Sequence, residues 1–201
     1  MVRISFLTGP GLTAHLAALA RLRIAVFREW PYLYDGNLES EQRHLKGFAA
    51  SPAAGMAVAF DGEMPVGCST CLPLIDAGDA ISVPFRARGW DPSRFFYFSE
   101  SVLLAAYRGQ GIGVAFFRER EAHARQALAC DYACFCAVQR PDEHPLRPAG
   151  AKELNEFWRH RGFTPYPDLT CSLEWQQVNS ASKVPNLLTF WLKSLTGAAL
   201  P

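Results

Sequence analysis

The stretch from Phe95 to Leu128 constrains the fold more than any other part of the chain. Phe95 to Leu104 is rich in aromatic and β-favouring residues and reads as a strand. Val114 to Leu128 reads as a helix, with Val114, Phe117, Ala124 and Leu128 along one side and Glu121 and Arg125 at a supportive i,i+4 spacing. Between them lies Tyr107-Arg108-Gly109-Gln110-Gly111-Ile112-Gly113. Glycines there tolerate positive φ and let backbone N–H groups come close to a ligand. The helix start that follows supplies unpaired N–H groups and a positive dipole end, a ready seat for a pyrophosphate. Arg108 adds a cation on the same side. Two familiar phosphate loops fail the comparison. No G-x-x-x-x-G-K-[ST] occurs, and reading G-x-G-x-x-G/A from Gly109 and Gly111 puts Val114 at the third position. A Gly-rich turn of this kind also serves as plain punctuation between strand and helix.

The rest of the chain reads as alternating strands and helices. Val2, Ile4 and Phe6 alternate with polar residues as a half-buried strand, ended by Gly9-Pro10-Gly11. Thr13 is placed to cap a helix to about Phe27, and Ser40 or Glu39 to open a second one to about Ala50. Met56 to Phe60 and Val66 to Leu72 flank Asp61-Gly62 as a hairpin. Residues 73 to 94 carry Pro73, Pro84 and Pro92 and read as irregular or weakly helical. Tyr132 to Val138 is a buried strand, Lys152 to Arg161 a short helix, and Leu169 to Trp175 and Asn186 to Leu192 two closing strands.

At 201 residues this fits one domain spanning 1–201, with 49% hydrophobic and 19% charged residues arguing for a packed core. A formal charge of +1 gives no electrostatic footprint for nucleic acid or an anionic membrane, and neither partner is expected. No apolar run is long enough for a membrane span or reads as a signal peptide, so the expected location is cytoplasmic, with the six cysteines reduced. Cys68 and Cys71 spell C-x-x-C but lie in a predicted strand, where i and i+3 point to opposite faces, so no metal is expected.

Arg108, Gly111 and Gly113 satisfy the pattern [QR]-x-x-G-x-[GA]. With these residues, Tyr107 to Gly113 resembles the acetyl-CoA pyrophosphate loop of the GNAT N-acetyltransferase superfamily, and the element order over most of the chain is similar as well. The resemblance implies an α/β fold with a mixed, largely antiparallel sheet flanked by helices and splayed at the CoA-binding strand. It implies acetyl-CoA as cosubstrate, without a metal. The pantetheine arm would pair with the backbone at Val102, Leu103 and Leu104, and the pyrophosphate would rest on Arg108, Gly109, Gln110, Gly111, Ile112 and Gly113. The implied function is transfer of an acetyl group to the amine of a small molecule or peptide by direct attack, in a monomer or homodimer.

An alkyl amine has a pKa near about 10.4 and must lose a proton before it attacks a thioester. A carboxylate serves as general base, and Glu100 is the carboxylate on the critical strand. Its alternative role is an ion pair or a solvated surface position. Trp30 to Gly36 falls at the acceptor side, where Tyr32, Tyr34 and Asp35 would suit a cationic or partly aromatic amine. The same aromatics would equally serve a loop packed on the sheet. One departure stands out. Family members frequently place a tyrosine four residues before the Gly162-Phe163 pair to protonate the leaving thiolate, and here that residue is Trp158. The alternative function is therefore a catalytically weak CoA or acyl-CoA sensing module.

Overall fold

The computed structural model describes residues 1–127 and 130–201. Among these residues seven strands form one sheet, β1 (Arg3–Thr8), β2 (Gly55–Asp61), β3 (Met64–Pro73), β4 (Phe95–Leu103), β5 (Tyr132–Val138), β6 (Thr164–Gln176) and β7 (Lys183–Ser194). Their order is β1-β2-β3-β4-β5-β7-β6, and only β4 and β5 run parallel. Helices α1 (Gly9–Phe27), α2 (Leu38–Ala49) and α3 (Asp79–Ala87) cover one face, while α4 (Ile112–Ala127) and α5 (Asn155–Arg159) cover the other. This is the mixed, largely antiparallel sheet between helices that the sequence implies.

Several boundaries differ from expectation for identifiable reasons. α1 begins at Gly9, with Pro10 in its first turn, where a missing N–H costs nothing, and Thr13 lies inside the helix bonding back to the Gly9 carbonyl at 3.2 Å. α2 opens at Leu38 because the Asn37 side chain accepts from the Ser40 N–H at 3.0 Å. Pro84 is tolerated within α3, where Ile81 and Phe85 share the buried side. In α4, Val114 is exposed, and the buried residues are Ile112, Phe116, Phe117, Arg120 and Ala124. The predicted helix end at Leu128 lies outside the described residues. Cys68 and Cys71 do face opposite sides of the sheet.

Two irregularities in β4 prepare the site. Its pairing with β5 covers only Phe95–Tyr97 against Tyr132–Cys134. Beyond that, β5 stays on β7 and β4 stays on β3, so the two strands part and leave a fork. The register against β3 also slips. Thr70 pairs with Glu100 but Leu72 pairs with Tyr97, so Phe98 and Ser99 together face Cys71. A bulge reverses the facing of everything after it. Phe95 and Tyr97 point toward α1, and unbroken alternation would send Glu100 with Phe96 and Phe98 under α4. The bulge instead turns Glu100 and Val102 to the α1 face.

Candidate active site

A single turn of 3₁₀ helix (Ala105–Tyr107) carries the chain from β4 into the glycine loop. Gly109 and Gly111 have φ of 77° and 80°, with open space where a Cβ would sit. Their requirement is therefore backbone conformation, not room. The backbone N–H groups of residues 109 to 114 find no acceptor among the described residues, and the N-terminal end of α4 stands behind them. Side chains brace the loop from outside. The Tyr107 hydroxyl donates to Asp61 at 2.8 Å and Gln110 Nε2 to the Ala106 carbonyl at 3.1 Å. Arg108 donates from Nε to the Leu103 carbonyl at 3.1 Å and from Nη2 to Glu29 at 2.7 Å. The Ile112 side chain is buried with Ala57, Val66 and Phe116, so this residue offers a ligand its backbone alone.

Which β4 amides face the fork follows from the ladder. The Leu104 N–H donates to the Val66 carbonyl at 3.0 Å, and its own carbonyl accepts from Tyr107. In an antiparallel ladder the direction alternates, so Val102 and Glu100 also turn their backbone groups to β3, whereas Leu103 and Ser101 turn theirs to the open side. Of the three residues expected to meet the pantetheine arm, Val102 and Leu104 thus have their backbone groups engaged within the protein, whereas Leu103, whose carbonyl also accepts from Arg108, faces the open side together with Ser101.

On the α1 face Glu100 lies in a buried charge cluster. Arg23 of α1 pairs through Nε with Glu41 of α2 and through Nη1 with Glu100 Oε1, the latter a charge contact rather than an aligned hydrogen bond. His44 Nε2 lies 2.9 Å from the same Glu100 oxygen. Loss of water and the Arg23 guanidinium hold the His44 imidazole below its ordinary pKa, although half of the ring still reaches solvent and tempers the shift. Burial, with the neighbouring Glu41 carboxylate, pushes the Tyr34 hydroxyl up to about 12. With His44 neutral, one positive charge faces two negative ones. Among the described residues Glu100 Oε2 is buried without a hydrogen-bond partner, as is Thr70 Oγ1 on the residue directly opposite it. Of the two roles expected for Glu100, the structure shows the ion pair.

The loop from Arg28 to Gly36 closes over this cluster. Arg140 donates from Nε to the Pro31 carbonyl at 2.7 Å and from Nη2 to the Tyr32 carbonyl at 3.0 Å, and Trp175 Nε1 donates to the same Tyr32 carbonyl at 3.0 Å. The Tyr32 ring packs between Phe27 and Trp175. Its hydroxyl lies near Cys136, Arg23 and Arg140, with burial raising its pKa. The Tyr34 ring lies so close over Gly36 that a Cβ there would come within 2.5 Å of it. Asp35 pairs with Arg28 at the surface. The loop therefore packs as a structural element, with the Tyr34 hydroxyl beside Glu41. Among the described residues no cluster of three or more His, Cys, Asp or Glu could hold a metal ion.

No family model and no curated protein matches the chain by sequence. Solved structures do match along nearly its whole length. An acetyltransferase of the GNAT family from Streptococcus pneumoniae superposes with a TM-score of 0.57 at 12% identity, covering 96% of this chain and 99% of that one. The ribosomal-protein-alanine N-acetyltransferase of Brucella melitensis gives 0.57 at 18% identity, with 96% and 99% covered. The protein yncA of Salmonella typhimurium, solved with its cofactor acetyl-CoA, gives 0.57 at 14% identity, with 100% and 98% covered. The chain has the GNAT fold.

Within this GNAT fold, Trp158 is partly buried and packs on aromatic rings. Its ring meets Phe135 and Trp191 at centroid distances of 5.0 Å each, and an indole is no proton donor at working pH. Protic groups exist elsewhere, at the fork. The Tyr97 hydroxyl lies 3.1 Å from Cys136 Sγ, where Tyr97 is the last β4 residue paired to β5 and Cys136 sits just past the parting. A hydrogen bond from the neighbouring Cys171, joined by that from Tyr97, holds the Cys136 thiol below its ordinary pKa. The Tyr166 hydroxyl, on the strand across β7 from Cys136, donates to the Pro201 carbonyl at 3.2 Å.

Proposed function

We propose that the chain, over residues 1–201, is an acetyl-CoA-dependent N-acetyltransferase acting on the amine of a small molecule or peptide. The observation that carries this reading is the fork between β4 and β5, which ends at a loop of six free amides. An extended amide-bearing arm fits the first and a pyrophosphate the second. The backbone edges of Ser101 and Leu103 receive the pantetheine, and Gly109 to Gly113 receive the pyrophosphate. Arg161, over the Phe157 ring that also touches Gly113, is a further cation within reach of the anionic end.

The acceptor enters on the α1 face, where Tyr32, Tyr34 and Asp35 border the Glu100 cluster. The excess negative charge there favours a cationic amine. The Glu100 carboxylate, directly or through a water, takes the ammonium proton, the neutral nitrogen attacks the thioester carbonyl, and the carbon–sulfur bond then breaks. The departing thiolate takes a proton from the Tyr97–Cys136 pair at the fork, which does the work that Trp158 cannot. No helix among the described residues is long and apolar enough to cross a membrane, and all six cysteines are unpaired.

Trp158 favours a second reading, in which the same fold binds CoA without turnover. One experiment separates the two. Purified protein is titrated with CoA by calorimetry, then incubated with acetyl-CoA and a panel of primary amines while free thiol is recorded. Saturable CoA binding with amine-dependent thiol release supports the enzyme. Binding without release across the panel supports the sensing module, and absence of CoA binding overturns both.

A further inference from the structure

Arg120 is the largest side chain that is fully buried, and it has no carboxylate partner among the described residues. It stands in the core stripe of α4, between Phe116 and Ala124, at a position where a hydrophobic residue would bury at far lower cost. Desolvation holds its pKa down, to about 10. Something must offset an isolated guanidinium in the core. Its contacts say what it holds. The guanidinium carbon lies 4.5 Å from the Phe98 ring centroid and 4.7 Å from that of Phe117. Nε donates to the Phe116 carbonyl at 3.3 Å, and Nη1 donates to the Glu100 carbonyl at 3.4 Å. Phe98 is one of the two bulge residues, and Glu100 is the first residue whose facing the bulge reverses.

We propose that Arg120 is a positioning residue for Glu100: from the far side of the sheet it clamps the β4 bulge to α4 and so fixes the Glu100 carboxylate on the acceptor face. This rests on the reading of Glu100 as general base. Two guanidinium groups thus grip one residue from opposite faces, Arg23 on its side chain and Arg120 on its backbone. The arrangement accounts for a charge the fold alone does not need. A methionine of similar length would fill the slot between the rings and remove the desolvation cost, but it would leave the bulge without its clamp.

The test compares Arg120→Met and Arg120→Lys with the parent protein in three measurements. Thermal unfolding reports the fold, and calorimetry with CoA reports the loop. Steady-state acetyl transfer over pH 6 to 9 (roughly the range in which a tuned general base titrates) reports Glu100. Groups at Glu100 are Arg23 from α1, His44 from α2 and Thr70 from β3, with Glu41 and Tyr34 beyond Arg23, and neither substitution alters any of them chemically. Arg120→Met is expected to unfold at the same or a higher temperature and to bind CoA within about threefold of the parent, while kcat falls at least about tenfold and its pH profile shifts. Arg120→Lys, which keeps the charge but loses the fork of donors, recovers part of the rate.

An unchanged kcat and pH profile in a folded Arg120→Met protein overturns the proposal. Should Arg120→Met fail to fold, Arg120→Lys decides in the same way. A parent protein that binds CoA but shows no transfer refutes the general-base reading and leaves the clamp testable. The His44 imidazole, which touches Glu100, is then followed by NMR. A titration midpoint moved by about half a pH unit or more in the variants supports the clamp, and an unmoved one overturns it.

Discussion

The guanidinium of Arg23 on α1 and the carboxylate of Glu100 on β4 form an ion pair whose side chains are only 9% and 11% exposed. Because Arg23 also holds Glu41, one cation joins α1 to α2 and to the sheet. The cluster carries one more negative charge than positive, and the His44 imidazole in contact with it is kept neutral. An enzyme that receives ammonium groups gains from such a place. Among the described residues Glu100 is left with one oxygen committed to Arg23 and His44 and one buried without a hydrogen-bond partner.

Replacing Arg23 by methionine strands two buried carboxylates. Breaking a buried pair by removing one partner costs about 3–5 kcal/mol, against about 0–1 for an exposed pair. Urea unfolding at neutral pH is expected to show a loss in the higher range. A loss below about 1 kcal/mol would mean that the cluster is hydrated enough to be treated as surface.

Glu100→Gln has the opposite structural logic. It removes one of the two negative charges facing Arg23, so Arg23 and Glu41 remain as a balanced pair and the fold should persist. Turnover is expected to drop by about 10²-fold or more, in line with general-base contributions, with CoA affinity unchanged. Calorimetry and thiol release on one preparation check both halves. A variant with full activity removes Glu100 from the chemistry.

How much of this was legible beforehand depends on the kind of signal. The glycine loop and its flanking strand and helix are local, and the pattern at Arg108, Gly111 and Gly113 marked them without any tertiary information. The amphipathic segments likewise placed α1, α2, β2, β3, β5 and β7 to within a few residues. What the residues could not reveal was phase. The bulge at Phe98–Ser99 is set by pairing with Cys71, a partner far away in sequence, and it decides which face Glu100 occupies. The same long-range ladder hides that Ser101, not Val102, presents its backbone to the fork. Arg120 escaped notice because a charged residue in a helix is read as solvent-facing, and here two phenylalanine rings bury it. His44 and Arg23 carry no local pattern either. They become functional neighbours of Glu100 only once α1 and α2 dock on the sheet.

Arg108 spends its charge on Glu29, in a pair with both side chains nearly half exposed. Such a pair is worth about 0–1 kcal/mol, so an incoming pyrophosphate can compete for the guanidinium. Arg108→Ala is expected to weaken CoA binding, and Glu29→Gln to leave it unchanged or strengthen it by releasing Arg108. Calorimetric titration of both variants checks this. Equal weakening in the two would show that the pair acts by bracing the loop.

Gly111→Ala isolates the loop's backbone requirement. A Cβ at this position meets no neighbouring atom, so the cost is that of holding alanine at φ 80°, about 1–3 kcal/mol. Gly150 offers a matched control, with φ 74° and equally open space, in a segment outside the loop. Both alanine variants should lose comparable stability, while only Gly111→Ala should lose CoA affinity, by about tenfold or more. A parallel loss in both would tie the affinity to global stability and not to the amides.

His44 makes the cluster sensitive to acid. Its pKa in the folded protein lies below the unfolded value of about 6.5, because lost hydration and the nearby Arg23 both oppose its protonation. Between those two values the unfolded chain binds more protons than the folded one, so stability falls as the pH drops below about 6.5 and the contribution is complete above it. Glutamine at position 44 keeps an amide donor toward Glu100 and cannot titrate. Urea unfolding midpoints of the parent protein should therefore fall more steeply between pH 7 and pH 5 than those of His44→Gln, with the two curves running parallel above about pH 7.5, where His44 is neutral in both states. Groups common to both proteins cancel in this comparison. Identical pH dependence would place the His44 ring in water, free of the Arg23 field, and remove it from the charge balance around Glu100.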